Sequence, residues 1–295
     1  MIKKGLIMTM LALGLLGFTA CSSDDNSVAV PMSTLTLNLN GLETLDSGFT
    51  YEGWIIVNGT PISTGRFNTA TINSTQVFTL VTSELEAATQ FVLSIEPVNE
   101  DVPAPSDTKI LSGSFVANAA TLSIESVVGN FANTASPFSG SFVTATPTDN
   151  TGGVDNGNND RGVWFIQNAT TAGLINLPQL SAGWKYEGWA VFNNGNSPAT
   201  TGQFSNASGV DSSSPYSGNE PAPLFPGEDF LFNLPAGIDG VVTGLPIVIS
   251  IEPDLDGDPN TPFFLKPIGG TEGISGNALS VTNNINATIN GTAVR

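Results

Sequence analysis

"KYEGWAVFNNG" (Lys185–Gly195) repeats "TYEGWIIVNG" (Thr50–Gly59) with little change. The likeness runs well beyond the shared Tyr-Glu-Gly-Trp. Backward, "GLETLDSGFTYEGW" lies without a gap on "NLPQLSAGWKYEGW", so Leu42, Leu45, Gly48, Tyr51 and Trp54 fall on Leu177, Leu180, Gly183, Tyr186 and Trp189. Forward, "PISTGRF" meets "PATTGQF", and "FVLSIEP" meets "IVISIEP", with Lys109 falling on Lys266. The same motifs in the same order identify an internal duplication. The second copy carries an insertion, about Asp211 to Gly240, with Leu224, Phe225, Phe230, Leu231 and Phe232 in need of a covering surface.

The repeated words read as strands. "LTLNLNG" alternates apolar and polar, "WIIVNG" and "WAVFNNG" end in Asn-Gly turn signals, and both "SIEP" runs are β-branched and stop at proline. "TSELEAATQ" (Thr82–Gln90) is the one helix-like stretch. Many short strands with Gly, Asn and Pro between them predict an all-β protein of two tandem immunoglobulin-like β-sandwich units. We divide the chain into a leader (1–20), a tether (21–33), a first repeat (34–147), a polar segment (148–160) and a second repeat (161–295). The polar segment reads as either a linker between two bodies or a long hairpin within one. With a full set of motifs and an ordinary domain size, the stretch Arg161–Arg295 is expected to fold alone.

The N-terminus reads as an export signal. Lys3 and Lys4 precede an uncharged, mostly apolar run, Gly5–Ala20, shorter than the ~20 residues of a bilayer span. "GFTAC" resembles a bacterial lipobox ending at Cys21, the sole cysteine. Lipid on Cys21 would hold the protein at a membrane, since two or more acyl chains give lasting attachment. Asp24 and Asp25 resemble the acidic export signal of Bacteroidetes surface lipoproteins, which implies the outer face of the outer membrane.

Composition narrows the chemistry. The chain holds 26 acidic and 8 basic residues and no histidine. Such a surface repels phosphate backbones, so no nucleic-acid partner is expected. Without histidine, and with its cysteine given to lipid, the chain cannot build Ser-His-Asp, Cys-His or His-metal sites. No enzymatic role is expected. Four glutamates, Glu52, Glu96, Glu187 and Glu252, leave a carboxylate glycosidase as the alternative. They recur once per motif, so the plainer expectation is structural: Glu96 accepts loop N–H bonds or pairs with Lys109, and Glu252 with Lys266. Tyr51, Trp54, Tyr186 and Trp189 are expected in the core, with a sugar-stacking platform as the other reading. Because successive strand residues face opposite ways, one aromatic of each pair can be core and the other exposed. "DLDGDPN" sets Asp254, Asp256 and Asp258 at alternate positions, like the start of a calcium loop, but lacks the glutamate that would complete it.

"YEGWIIVNGTPISTGRF" followed by "FVLSIEPVNEDVPAP" resembles the extracytoplasmic C-terminal domain of anti-sigma-K factors. The shared positions are Trp54, Asn58, Gly59, Pro61, Ser63, Gly65, Phe67, Glu96, Pro97, Pro103 and Pro105. The second copy shares Trp189, Gly195, Pro198, Gly202, Phe204, Glu252, Pro253 and Pro262. It departs at "NNGNSPATTG", two residues longer, with Ala199-Thr200 in place of the hydrophobic-Ser pair. The resemblance implies an extracytoplasmic sensing or binding module. The family's sigma-binding part, with its His/Cys zinc site, has no counterpart here, so no sigma factor is expected as partner. The expected partner is an unidentified protein or glycan.

Overall fold

The alternating stretch "MSTLTLNLN" shows how this chain makes strands. Leu35, Leu37 and Leu39 are all buried, while the residues between them face outward or sit at the edge. Burying each such leucine contributes about 1.5–3 kcal/mol. A computed structural model describes residues 29–68, 73–100, 102–149, 154–254, 260–274 and 276–295. Cys21, Asp24 and Asp25 lie outside them, as do Asp256 and Asp258. Pro31–Arg295 forms one compact unit, and every described strand and helix belongs to it.

Among the described residues the elements run β1 (Met32–Asn40), β2 (Phe49–Val57), β3 (Thr60–Phe67), β4 (Asn73–Val81), α1 (Thr82–Ala87), β5 (Ala88–Pro97), β6 (Lys109–Val116), β7 (Ala119–Ser123) and β8 (Ser139–Ser141). They continue β9 (Gly162–Trp164), β10 (Ile166–Asn168), β11 (Thr171–Ala172), β12 (Leu174–Ile175), β13 (Trp184–Phe192), β14 (Ser197–Phe204) and β15 (Gly227–Asp229). The last are β16 (Pro246–Pro253), β17 (Ile268–Thr271), β18 (Ala278–Val281), α2 (Ile285–Thr288) and β19 (Asn290–Val294). The protein is mostly β, as the strand patterns predict. The helix-like stretch forms the short α1 and turns extended at Ala88.

Two sheets hold most of the strands. An eight-stranded sheet has the order β3-β2-β5-β6-β7-β19-β1-β4, and a seven-stranded one the order β12-β8-β18-β17-β16-β13-β14. The duplication is visible in both. β3-β2-β5-β6-β7 matches β14-β13-β16-β17-β18 strand for strand. β2 and β13 are central and buried on both faces along most of their length, so both aromatics of each Tyr-Glu-Gly-Trp are covered.

The next strand in each sheet comes from the other half of the chain. β19, at the C-terminus, lies between β7 and β1 in the first sheet. β8, from the first half, pairs with β18 and β12 in the second. The sheets therefore do not follow the sequence boundary at 148–160. That segment is also stitched inward. Thr148 N–H donates to Asp229 (2.8 Å), and Gly218 N–H donates to the Thr148 hydroxyl (2.8 Å). The halves meet again at Gly183, where a Cβ would lie 2.4 Å from the Asp107 carbonyl carbon, and Trp184 Nε1 donates to Lys109 O (3.0 Å). The insertion buries Phe230 against Phe192 and Tyr216, whereas Leu224 and Phe232 stay exposed.

Candidate functional site

Each letter of Tyr-Glu-Gly-Trp has a physical task, and it is the same in both copies. The tyrosines, 0 % exposed, donate from their hydroxyls to a backbone carbonyl eight residues upstream: Tyr51 to Glu43 O (2.8 Å) and Tyr186 to Pro178 O (2.7 Å). Burial pushes both phenols far above their ordinary pKa, so they remain protonated donors. The glycines admit a close neighbour. A Cβ on Gly53 would lie 2.3 Å from Thr64 Oγ1, and one on Gly188 the same distance from Thr201 Oγ1.

Those threonines lie at the register shift between β2 and β3 and its counterpart between β13 and β14. The irregularity re-aims the hydroxyl just before it. Ser63 Oγ donates to Glu52 Oε1 (2.5 Å), and Thr200 Oγ1 donates to Glu187 Oε1 (2.5 Å).

The tryptophans, 2 % and 1 % exposed, begin a relay. Trp54 Nε1 donates to Ser94 Oγ (2.9 Å), which donates in turn to Glu96; Trp189 Nε1 donates to Ser250 Oγ (2.8 Å), which donates to Glu252. Each relay ends on a loop N–H. Ser106 N–H donates to Glu96 (2.8 Å), and Phe263 N–H donates to Glu252 (2.8 Å). The loop N–H bond expected at Glu96 is thus present, and Glu252 has its counterpart. Neither of the Glu–Lys pairs is among the ion pairs of the described residues. Lys109 instead donates to Ser106 O (2.7 Å) and lies 3.8 Å from Asp107. A short backbone N–H already meets Glu96, and the lysine stem reaches the carbonyl of that same loop. Lys266 is half-buried just before β17.

The serines of the relay, and Ser63 and Thr200 beside the glutamates, are functional positions the sequence reading passed over. The signal was available: Ser and Glu two apart in "SIEP" must share a strand face.

At one paired position beside the glutamate the copies differ in charge. In the first, Arg66 Nε donates to Glu52 Oε2 at 2.6 Å. In the second, Gln203 stands there, and its Nε2 donates to Glu187 Oε2 at 3.3 Å. Over the second face the insertion adds a roof. A cavity of about 390 Å³ opens between Glu187, Trp189 and Pro198 below and Tyr216, Pro235 and Ile238 above. A second hollow, about 470 Å³, lies beside Glu96 and is lined by Phe49, Pro97, Glu100 and Asp254.

The insertion also brings three carboxyls inward, which the sequence reading did not anticipate. Burial pushes Asp211 up to about 7 and Glu228 up to about 8, and raises Asp229. Asp229 accepts from Trp164 Nε1 (2.7 Å) and Thr148, while Glu228 accepts from Ser217. Asp254, of the calcium-loop motif, is paired with Lys185 at 2.7 Å. Among the described residues no group of three or more acidic, His or Cys side chains is arranged to hold a metal, and no helix is long and apolar enough to cross a membrane.

Compared with protein-family models, curated proteins and solved structures, the chain matches none.

Proposed function

We propose that this is a non-enzymatic surface lipoprotein, held in the outer membrane by lipid on Cys21, whose duplicated modules bind a partner outside the cell. In this reading the modules are sandwich-like units of the anti-sigma-factor extracytoplasmic type, without any sigma-binding part. One observation carries it. The motif glutamates are engaged by serine, threonine and loop donors, and both motif tryptophans are buried. The repeated motif therefore builds a scaffold, whereas a glycosidase needs two carboxyls facing a substrate cleft, and a sugar platform needs an exposed ring.

The location is tested by following palmitate incorporation in cells making the wild type and Cys21→Ser, and by adding protease to intact cells. Label only in the wild type, together with digestion of the wild type on intact cells, is the expected result. Equal labelling of the two proteins sinks the anchor, and full protection until the outer membrane is opened sinks the outward orientation. Capture from intact cells with the lipidated protein as bait tests the binding role.

A further inference from the structure

We infer that the outer face of the neighbouring strands β7, β19, β1 and β4 lies against a lipid surface, the zwitterionic headgroup layer of the membrane that holds Cys21. The inference rests on the lipid anchor proposed above and gives the anchored protein an orientation.

The first observation is charge. The chain holds 26 acidic and 8 basic residues, yet "AATLS", "NGTAV", "MSTLTLNLN" and "NSTQVFTLV", which lie side by side in the eight-stranded sheet, contain none of them. The charged neighbours stand at the rim: Glu84 and Glu86 on α1, which follows β4, and Arg295, which follows β19. An uncharged face can meet headgroups without stripping water from an ion, the step that makes a charged surface costly to cover.

The second is a line of apolar side chains. The strand register carries Val116 of β6 to Ala119, Ala119 to Val294, Val294 to Thr36, and Thr36 to Val77. Leu35 and Leu37, on either side of Thr36, point into the core, so this row points outward. Val116, Val294 and Val77 are 80 %, 41 % and 62 % exposed. Single apolar residues scattered on a surface need no explanation, but a line of them across five strands does. Farther along the same strands the face turns polar and its side chains bond one another. Thr75 Oγ1 donates to Asn38 Oδ1 (3.0 Å), and Asn40 Nδ2 donates to Asn290 Oδ1 (2.9 Å).

The third is where the tether arrives. β1 begins at Met32, itself exposed, and Thr36 of the apolar row lies only about 13 Å along the strand. The chain from Cys21 to Met32 spans at most about 40 Å when fully extended. Lipid on Cys21 would therefore hold the apolar end of the face beside the headgroups, at an effective concentration of order millimolar. A contact too weak to recruit free protein is occupied under that condition.

The test uses single introduced cysteines, since Cys21 is the sole native one and lipid blocks its thiol. Val77→Cys and Val116→Cys lie on the row, and Val210→Cys, exposed in the second half, is the control. Each is labelled with nitrobenzoxadiazole in the full-length lipidated protein, placed in phosphatidylcholine nanodiscs, and quenched with acrylamide. The same labels on soluble Cys21→Ser protein give the reference. Labels at 77 and 116 should be quenched severalfold less on nanodiscs than in solution, and the label at 210 equally in both. Thr36→Glu, which puts a charge in the middle of the row, should return the label at 116 to its solution value. Equal quenching at all three positions on nanodisc-bound protein overturns the inference and leaves the anchor standing, whereas a protein without lipid on Cys21 sinks both. Protection that appears in the soluble form and grows with protein concentration assigns the face to a second copy of the chain and likewise overturns it.

Discussion

Replacing Ser94 with Ala removes one oxygen from the middle of the first relay. Two groups lose by it. The Trp54 indole N–H, on a ring 2 % exposed, loses its acceptor at 2.9 Å. A buried donor left without a partner costs about 1–3 kcal/mol. Glu96 loses the serine O–H but keeps Ser106 N–H at 2.8 Å, so its share is smaller, about 1 kcal/mol. The space left by one oxygen is too small for a replacement water. Together the loss should be about 2–4 kcal/mol. Ser250→Ala should cost a similar amount, because Trp189 and Glu252 make the same bonds and Phe263 N–H remains. Urea unfolding followed by circular dichroism and tryptophan fluorescence measures both. Ser114→Ala, on an exposed position of the adjoining strand β6, is the control and should stay within ~0.5 kcal/mol. If Ser94→Ala is as mild as that control, the relay does not hold the tryptophan and the reasoning fails.

Arg66→Met leaves the nearly buried Glu52 carboxylate without its guanidinium; since Arg66 is about a quarter exposed, we expect a loss of ~1–3 kcal/mol in the same assay, and no loss would refute the pairing. Asp211, Glu228 and Asp229 hold protons in the folded state that the unfolded chain releases in the ordinary carboxyl range, so they make stability fall as pH rises from about 4.5 through about 8. Glu228→Gln should therefore gain on the wild type as pH increases over that window; a urea-midpoint difference, variant minus wild type, that stays constant or falls contradicts the burial argument. A chain ending at Thr288 lacks β19, which fills the place between β7 and β1, and should lose cooperative thermal unfolding. The stretch Arg161–Arg295 on its own lacks β8 and gives β19 no partner strand, so it should aggregate in sedimentation, contrary to the expectation from its complete motif set; a monomer with a sharp melt would show that β8 and β19 are dispensable.

The strands and the duplication were legible because both are local. Alternation in "LTLNLN", β-branched runs that stop at proline, and Asn-Gly turns each act within a few residues. The loop N–H bond of Glu96 was legible for the same reason, since a strand that ends at Glu-Pro leaves its last acidic side chain beside the next loop; at Glu252 a pairing with Lys266 was expected, and a loop N–H stands there instead. The burial of Tyr51, Trp54, Tyr186 and Trp189 was legible from the cost of exposing aromatics, whereas alternation alone allowed one of each pair to face outward and said nothing of what covers the second face of β2 and β13. The polar face is closed by the hairpin partner Arg66 over Glu52 in one copy and by the insertion in the other. Nor does any local signal in "SGS" or "NGTAV" name its sheet. Three or five residues of weak pattern can serve as a strand beside β7 or beside β18, and only the complete core decides.

The fate of those two short strands explains how the copies could diverge. Each half builds the same five-strand order, and each then sends its next strand, β8 or β19, to the other sheet. Neither sheet is complete without the other half, so stability is shared between them. The tyrosine anchor, the glycine approach and the Trp-Ser-Glu relay are retained in both because each supports its own central strand from both faces. The position beyond that frame, Arg66 or Gln203, is where the copies part. In the first copy an ion pair covers the buried carboxylate. In the second, an insertion fixed by Asp229 to Trp164 and Thr148 covers it and encloses a cavity. A scaffold held by both copies thus frees one of them to exchange a stabilising side chain for space.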